Sequence, residues 1–280
     1  EIYQCDWSSD VCSSDLIVSG SYPDCREKVI LLTGGAGLLG STLVSALASQ
    51  HALLTVVDVD QTALSHLVDS LPKTHHDAVL TICADISLHS APTEIIKRTL
   101  DQYGRVDVLV NNAASKSDNL ADFFISDEDF AADTWRAVMA TNLDGAFFMS
   151  QAAGREMLRQ GRGNIVNIAS IYGVVGPDQR LYDGSEYLGH KISTPAAYSA
   201  SKAALVGLTR HLATTWGPRG IRVNAVTPGG IESGQNERFQ KNYASRVPLG
   251  RMAAVEEVAE AVLFLISERS EEHTSELQSH

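Results

Sequence analysis

The sequence predicts an α/β fold in which helices cover both faces of a doubly wound parallel sheet, giving three layers. Two observations carry this prediction. Short β-branched apolar runs alternate with helical stretches along most of the chain, a pattern typical of a parallel sheet buried on both faces. The 280 residues are 44% hydrophobic and 20% charged, which is enough apolar sequence for one large core.

The predicted elements follow one another in regular alternation. We expect strands at 28–33, 53–58, 78–84, 106–111, 163–169 and 221–226, and helices at 38–50, 61–70, 91–103, 129–160, 197–216 and 255–267. Two long connections, 112–128 and 171–196, interrupt the alternation. Loops of that length are uncommon in a compact domain and are usually functional.

The two ends of the chain differ in composition from the rest. Residues 1–16 and 269–280 are polar, aperiodic and rich in Ser, and they are similar to translated sequencing-adapter sequence. We therefore expect non-native flanks around a single domain at 17–268. Inside that range, Cys25 and Cys83 are too few for a disulfide framework and lack metal-ligand spacing, which predicts no metal site and fits a reducing cytoplasm.

The net charge and the hydropathy of the chain argue against two classes of binding partner, nucleic acids and membranes. The formal net charge of −12 argues against nucleic acid, because a polyanion would be repelled and no basic stripe is present. No run approaches the ~20 apolar residues of a membrane span. The composition therefore predicts a small-molecule partner, with neither nucleic acid nor membrane.

Glycines dominate the turn after the first predicted strand, which reads TGGAGLLG at 33–40. Such glycines let the backbone approach a pyrophosphate, and the following helix terminus binds its charge. Asp58 ends the second strand, where a carboxylate would bind an adenosine ribose and repel a 2′-phosphate. The pattern favours NAD over NADP. A turn without ligand and a solvated Asp58 are the alternatives, and Asp60 is a rival for the ribose contact.

Tyr198 and Lys202 stand four residues apart at the start of a strongly helical run. Positions i and i+4 share a helix face, so we expect the Lys202 ammonium to lower the pKa of the Tyr198 phenol and make it an acid or base. Tyr187 and Lys191 repeat the spacing. Gly189 within that copy and Pro195 after it make a continuous helix there improbable, and we treat Tyr187 as a decoy.

With these pieces placed, the chain resembles the short-chain dehydrogenase/reductase family over about residues 27–268. The landmarks are the glycine-rich turn, Asp85, the segment 111–114 (NNAA), Asn142, Ser170, Tyr198 with Lys202, and Pro228 with Gly229. Each is weak singly, but their order is specific. The resemblance implies a Rossmann-like fold and an NAD(P)-dependent oxidoreductase.

The family pattern also implies roles for individual residues. Tyr198 would exchange the substrate proton, Ser170 would hydrogen-bond the reacting oxygen, and Lys202 would bond the nicotinamide ribose, while Asn142 would hold a water linking Lys202 to solvent. Hydride would pass reversibly between the nicotinamide and an alcohol or ketone. The implied cofactor-binding residues are Gly34, Gly37, Leu38, Leu39, Gly40, Asp58, Asp85, Ile86, Asn112, Ala113, Tyr198, Lys202, Pro228, Gly229, Ile231 and Ser233.

Three features depart from the common family pattern. Leu38 stands where short members usually have a middle glycine, so the glycine spacing is that of the sugar-nucleotide branch. The connection 171–196 carries an insertion, and together these features are similar to relatives in flagellin-modification and nonulosonic-acid sugar pathways. We therefore expect a substrate loop at 171–196 that suits a sugar or sugar derivative. The family also has one more strand after the helix at 255–267, which we expect to be missing here.

Two other functions remain open from the sequence. An NAD-retaining nucleotide-sugar epimerase or dehydratase would explain the glycine spacing, and a non-catalytic dinucleotide-binding module would share the fold. The intact set of Asn142, Ser170, Tyr198 and Lys202 favours an enzyme over a module. Long helices with apolar faces at 129–160 and 197–216 predict a homodimer or homotetramer.

Overall fold

The computed structural model describes residues 21–115, 119–187 and 190–270. Six parallel strands form its main sheet in the order β3-β2-β1-β4-β5-β8. They are β1 (Val29–Thr33), β2 (Leu53–Asp58), β3 (Val79–Cys83), β4 (Val108–Asn111), β5 (Gly163–Ile168) and β8 (Ile221–Val226). All six predicted strands are confirmed, as is the fold class. The strand order reverses direction between β1 and β4, which is the point where such sheets bind ligands.

Helices cover both faces of this sheet. They are α1 (Leu38–Ser49), α2 (Gln61–Ser70), α3 (Ala91–Tyr103), α4 (Leu120–Phe123), α5 (Ala132–Met139), α6 (Ala146–Gln160), α7 (Ala196–Trp216), α8 (Glu237–Ala244) and α9 (Val255–Ile266). Short 3-10 turns occur at Pro23–Cys25, Lys73–Ala78, Asp127–Asp129, Ile171–Gly173, Gln179–Tyr182, Gly217–Arg219 and Glu268–Ser270.

Alternate residues of each strand point into two separate cores. On β1, Ile30 and Leu32 pack with α1, α2 and α9, whereas Leu31 packs with α3, α6 and α7 on the opposite face. All five residues of β1 are buried. Successive side chains of a strand point to opposite faces, so a continuous apolar run supplies both cores at once. This confirms the three predicted layers.

The helix predicted over 129–160 is present as a helical stretch from Ala132 to Gln160 without a break, but it is not α-helical throughout. The structure divides it into α5 and α6, joined by a π-helical turn at Ala140–Gly145. A π turn holds one extra residue and is frequent at functional sites. The apolar spacing on either side is helical, so the sequence pattern did not reveal the insertion. Asn142, one of the predicted site residues, lies in this turn.

The two connections predicted as long loops contain short elements. The first holds α4, and the second holds an antiparallel hairpin of β6 (Glu186–Tyr187) and β7 (His190–Lys191). The hairpin confirms that the Tyr187 copy of the motif does not lie on a helix. The sequence also missed α8, which packs against the second connection.

The carboxyl ends of the six strands lie at one edge of the sheet, because all six run parallel. The predicted site residues follow these ends or lie on the helices packed beside them. Arg269 and Ser270, in the predicted flank, are described and contact the body, since the Arg222 side chain donates to the Ser270 hydroxyl. Within the described residues, no helix combines the length and apolarity that crossing a membrane requires.

Candidate active site

The glycine-rich turn is packed too tightly for larger residues. Gly34 has φ +65°, and a Cβ added there would lie 2.7 Å from the Cα of Ala113. A Cβ on Gly40 would lie 2.1 Å from the carbonyl oxygen of Gly34. A Cβ on Gly37, by contrast, would make only an ordinary contact at 3.6 Å. Gly34 and Gly40 therefore shape the turn itself, while Gly37 leaves space beside it.

The N-terminus of α1 lies next to this space. Gly37 is its N-cap and supplies no capping side chain, so the first amides and the positive end of the helix dipole face the turn without a side-chain partner. This arrangement fits the pyrophosphate of a dinucleotide. The Leu38 side chain is 48% exposed, whereas Leu39 is buried in the core. Leu39 can therefore offer a ligand only its backbone amide.

Asp58 is held beside the glycine turn. One carboxylate oxygen accepts from the Ala36 amide at 3.0 Å, and the other accepts from the Asp60 amide at 3.2 Å. The Asp60 carboxylate instead caps α2 by accepting from the Ala63 amide at 2.9 Å. Because Asp58 bonds the glycine turn directly whereas Asp60 faces the start of α2, the geometry favours Asp58 as the residue that would hold an adenosine ribose.

Asn112 and Ala113 are locked to the same turn. The Asn112 side-chain amide donates to the carbonyls of Gly34 at 2.8 Å and Thr33 at 3.1 Å. The Thr33 hydroxyl accepts from the amides of Asn112 and Ala113, each at 3.1 Å. Asn111, one position earlier, turns into the core and donates to Asn167 and Ser150. The structure thus brings the ends of β1 and β4 together as one surface.

Asp85 and Ile86 follow β3. Asp85 is exposed and its carboxylate accepts from the Ser87 amide at 2.9 Å. Ile86 is 5% exposed and packs against the π turn, where a Cβ on Gly145 would lie 2.9 Å from the Ile86 side chain. Ile86 therefore joins the cofactor side of the sheet to the turn that carries Asn142.

Ser170 and Tyr198 meet after β5. The Ser170 hydroxyl lies near enough to the Tyr198 phenol to lower its pKa, and it accepts from the Tyr172 amide at 3.2 Å. Gly173 allows this turn to lie against α7, since a Cβ there would be 2.7 Å from the Lys202 backbone. The strand end and the helix are thereby pressed together, which places a hydroxyl and a phenol side by side.

The expectation that Lys202 lowers the pKa of Tyr198 is wrong for this structure. Burial raises the pKa of Tyr198, and the nearby Ser170 hydroxyl only partly opposes that effect. The Lys202 ammonium lies 5.8 Å from the Tyr198 ring centroid and donates to the Ile168 carbonyl at 2.7 Å. Burial also lowers the pKa of Lys202 to about 8. Low-polarity surroundings disfavour the charged form of both groups.

Asn142 is almost fully buried, with 1% of its surface exposed. Its side-chain oxygen accepts from the Ser115 amide at 2.8 Å, and its amide donates to the Ser201 hydroxyl at 3.2 Å. The side chain therefore links the segment after β4 to α7 one residue before Lys202. Both polar atoms of this side chain are therefore occupied by protein partners.

The segment after β8 closes the site from the other side. The Pro228 carbonyl accepts from the Ile171 amide at 2.9 Å, and Ile231 forms an isolated bridge with Ala253. Gly230 follows Gly229, and its amide donates to the Tyr243 hydroxyl at 2.5 Å. Ser233 lies exposed beyond this segment, and its hydroxyl accepts from Gln235 at 2.8 Å.

Tyr243 was missed by sequence reasoning, as was its helix. It belongs to a small apolar cluster formed by α8, the turn at 179–182 and the segment before α9: Leu181, Phe239, Tyr243 and Met252. A signal existed, because Phe239 and Tyr243 stand four residues apart, but two apolar residues in so polar a stretch predict a helix only weakly. Within the described part of the chain, no group of three His, Cys, Asp or Glu residues could hold a metal ion.

Comparison with known proteins agrees with this geometry. The family model for short chain dehydrogenases matches residues 28–244. The chain is 34% identical to a 3-oxoacyl-[acyl-carrier-protein] reductase of Thermotoga maritima, over 87% of this chain and 92% of the relative. It is 33% identical to a probable galactose dehydrogenase of Rhizobium meliloti, over 92% and 95%.

A solved structure is similar over the same region. The short chain dehydrogenase from Leptospira borgpetersenii, determined with bound NAD+, is 32% identical, has a TM-score of 0.75, and is matched over 88% of this chain and 87% of its own. The named relatives are dehydrogenases and reductases, and none is an epimerase or a dehydratase. The chain belongs to the short-chain dehydrogenase/reductase family and is an NAD(P)-dependent oxidoreductase that acts on alcohols or ketones.

Proposed function

We propose that this enzyme uses NAD to interconvert a secondary alcohol and a ketone, with Tyr198 as the acid or base. The observation that carries this proposal is the meeting of Ser170, Tyr198 and Lys202 at the carboxyl edge of the sheet, beside the glycine-rich turn. When bound, the nicotinamide supplies the acceptor or donor of the hydride.

The protein residues would handle the proton and the reacting oxygen. The Tyr198 hydroxyl would exchange the proton of the substrate oxygen, and the Ser170 hydroxyl would hydrogen-bond that oxygen as its charge changes. Lys202 would bind the nicotinamide ribose. Its pKa of about 8 lies near neutrality, so a bound partner that stabilises the ammonium would favour the charged form of Lys202. Asn142 would contribute its backbone carbonyl to a water that reaches Lys202.

The proposed cofactor preference depends on Asp58. Its carboxylate is fixed by the amides of Ala36 and Asp60, so it cannot easily turn away from an approaching ribose. A 2′-phosphate at that place would meet like charge. The NAD+ bound to the Leptospira borgpetersenii protein supports the same preference. The remaining proposed cofactor contacts come from the turns after β1, β3, β4 and β8.

The substrate and the assembly are further parts of the proposal. The connection 171–196 begins at Ser170 and returns at the helix that carries Tyr198, which supports its role as a substrate loop for a sugar or sugar derivative. Exposed Trp135 and Phe147, on α5 and α6, support a homodimer or homotetramer. The described cysteines, Cys25 and Cys83, are unpaired, which supports a reducing compartment such as the cytoplasm.

The proposed function is tested by following NADH absorbance with a panel of secondary alcohols, and separately with NADP. We expect net NADH formation and a higher kcat/KM for NAD than for NADP. The purified protein should also bind added NAD reversibly. Tightly retained cofactor with no net NADH during turnover would contradict an oxidoreductase and favour an epimerase, while a preference for NADP would overturn the role of Asp58.

A further inference from the structure

Three hydroxyl groups form a chain beside the reacting centre. The Tyr172 and Tyr182 hydroxyls are 3.2 Å apart, and the Tyr182 hydroxyl is 2.5 Å from that of Thr194. All three residues belong to the insertion that leaves Ser170 and returns at α7. The proposed proton transfer uses none of these groups.

One end of the hydroxyl chain adjoins the reacting centre, because the Tyr172 amide donates to the Ser170 hydroxyl at 3.2 Å. The Tyr198 phenol is near enough to contribute to the raised pKa of Tyr172. At the other end, Tyr182 and Thr194 line a cavity of about 270 Å³. This volume lies just below the ~300–1,000 Å³ usual for small-molecule sites, so it suits a small ligand.

Eight of the eleven residues that line this cavity have polar side chains, although apolar atoms form the larger part of its surface. The polar side chains include Gln179, Tyr182, Asp183, Lys191 and Thr194. The loop is also braced there, because the Gln179 side-chain amide donates to the Thr194 carbonyl at 2.8 Å and its oxygen accepts from the Thr194 amide at 3.3 Å. An acyl chain would bury these polar groups without partners, which is costly, whereas a hydroxylated ligand would satisfy them.

The hydroxyl chain has hydrogen-bonding capacity left for a ligand. Each of the three groups has one O–H donor and can accept as well. Two hydrogen bonds join them, so two of three donors are used. Within the described part of the chain, the structure gives these hydroxyls no further partner. One donor and several lone pairs therefore remain beside the cavity, and burial keeps Tyr172 protonated by raising its pKa.

We propose that Tyr182, supported by Tyr172 and Thr194, is a specificity-determining residue that binds a second hydroxyl of the substrate. The inference rests on the proposed function and adds its substrate class: a polyol or sugar with a hydroxyl group close to the carbon that is oxidised. A simple alcohol would leave the hydroxyl chain without its ligand. A site built to bind a hydroxyl discriminates strongly against an analogue that lacks it.

The test is the variant Tyr182→Phe, which removes one oxygen atom and keeps the ring. The ring packs against Phe239 at a centroid distance of 5.4 Å and lies beside a cluster of buried apolar residues, so the fold should tolerate the change. Tyr103→Phe is the matched control. Its hydroxyl contacts the carbonyls of Leu54 and Ala78 at 3.1 and 3.0 Å, between strands and far along the chain from the reacting centre.

The probes are a four-carbon polyol, erythritol, and its analogues 2,3-butanediol and 2-butanol, assayed with NAD. We expect wild-type kcat/KM to fall from the polyol to the monohydroxy alcohol. Tyr182→Phe should lower the ratio of diol to 2-butanol kcat/KM about 10-fold, as the loss of one hydrogen bond predicts, with the KM for NAD unchanged. Tyr103→Phe should leave this ratio at the wild-type value.

Several outcomes would overturn the inference. The first is an unchanged ratio of diol to 2-butanol kcat/KM in Tyr182→Phe. The second is a wild-type preference for 2-butanol or for a 3-oxoacyl thioester. Each of these results is compatible with the proposed oxidoreductase. No NAD reduction with any alcohol, while NAD still binds, would instead contradict the proposed function. If Tyr182→Phe fails to fold by circular dichroism, Thr194→Val must lower the same ratio, and an unchanged ratio there rejects the proposal.

Discussion

The two sides of the active site are built in different ways. The cofactor side is assembled from turns that directly follow β1, β2 and β4, and backbone or short side-chain hydrogen bonds join them, such as Asn112 to Gly34. The proposed substrate side consists of the connection 171–196 and the region of α8, which lie far apart in the chain. They meet through side chains, including Arg246 with Asp178 at 3.3 Å and Asn242 with the Leu181 carbonyl at 3.2 Å.

This difference indicates separate tasks for the two regions. Strand ends in a parallel sheet are held by the sheet, so a site built on them changes little when the surface changes. A cover made of surface segments can gain or lose residues without disturbing the sheet. We therefore expect the first region to set the reaction and the cofactor, and the second to set the substrate.

The largest expected effect is at the junction of the two regions. Tyr198→Phe should lower kcat by about 10²–10⁴-fold, the range for loss of a general acid or base, and should leave NAD binding near normal because little surface is removed. Steady-state kinetics and NAD titration measure both effects. Tyr187→Phe, in β6, is the control and should cost only a few-fold. A reversed result would mean that Tyr187 is the acid or base.

Lys202→Met should abolish activity but raise the free energy of unfolding at neutral pH. The folded pKa of Lys202 is about 8, against 10.5 for the free side chain, so the unfolded chain binds the proton more readily between these values. The contribution of Lys202 to the free energy of unfolding is therefore least favourable below about pH 8, and it becomes more favourable as the pH rises towards 10.5. The lowered pKa corresponds to a cost on the order of 3 kcal/mol at neutral pH.

The measurement for Lys202 is urea unfolding of the wild type and the variant, without cofactor, at about pH 7 and about pH 10. Comparing the two proteins cancels pH effects that they share. The unfolding free energy of the wild type should rise relative to the variant by up to ~3 kcal/mol. A difference that does not change with pH would show that Lys202 is not the buried cation described above.

A change at Asp58 tests the cofactor side alone. Combining Asp58→Ala with Val59→Arg should shift the ratio of kcat/KM for NADP over NAD by about 10–100-fold, because repulsion is removed and a charge-assisted partner for the 2′-phosphate is added. The substrate ratio between erythritol and 2-butanol should stay constant. A parallel change in both ratios would show that the two regions are not separable.

The glycine turn offers a matched pair of substitutions. Gly40→Ala should lower the unfolding free energy by about 1–3 kcal/mol, since its Cβ would overlap the Gly34 carbonyl. Gly37→Ala should leave stability near wild type, because its Cβ meets only an ordinary contact, but it should weaken NAD binding. Thermal unfolding and NAD titration distinguish the two. Equal destabilisation by both would contradict the space assigned beside Gly37.

The smallest effect is expected at the ion pair between Asp178 in the connection 171–196 and Arg246 just after α8. Asp178 accepts hydrogen bonds from the Arg180 side chain, and Arg246 approaches it at 3.3 Å. Removing the second contact with Arg246→Ala should cost under ~1 kcal/mol of stability, because the pair is partly exposed. The KM for substrate should rise by a few-fold while the KM for NAD stays constant. A rise in the KM for NAD alone would mean that this contact supports the cofactor side and not the proposed substrate side.

Much of the cofactor side could be predicted from the sequence. The bounds of β2, α2, α3 and β8 agree with the predicted ranges, and the glycine turn, Asp58 and Asn112 lie together as expected. These features depend on local patterns: apolar alternation, helix caps such as Asp60, and glycines at a strand end. They act over a few residues, so one short stretch of sequence is sufficient to identify them.

The substrate side could be predicted only as a long connection. Its contents depend on contacts between distant segments. Phe239 and Tyr243 of α8 pack on Leu181, and the hydroxyl chain requires Tyr172, Tyr182 and Thr194 to converge from the start, the middle and the end of the connection 171–196. The division of the helix over 129–160 was hidden for a related reason. A π turn changes which side faces the core but leaves the helical spacing on both sides intact.

The sequence by itself determined the class of sheet and the place of the glycine-rich turn, and it singled out Tyr198 as the phenol proposed to react, because each of these depends on residue type and spacing. Tertiary structure alone decided the electrostatic state of that phenol. Lys202 stands at the predicted spacing, but its ammonium donates to the Ile168 carbonyl and burial raises the pKa of Tyr198. Spacing places two groups on one face of a helix, whereas their charge depends on everything that excludes water around them.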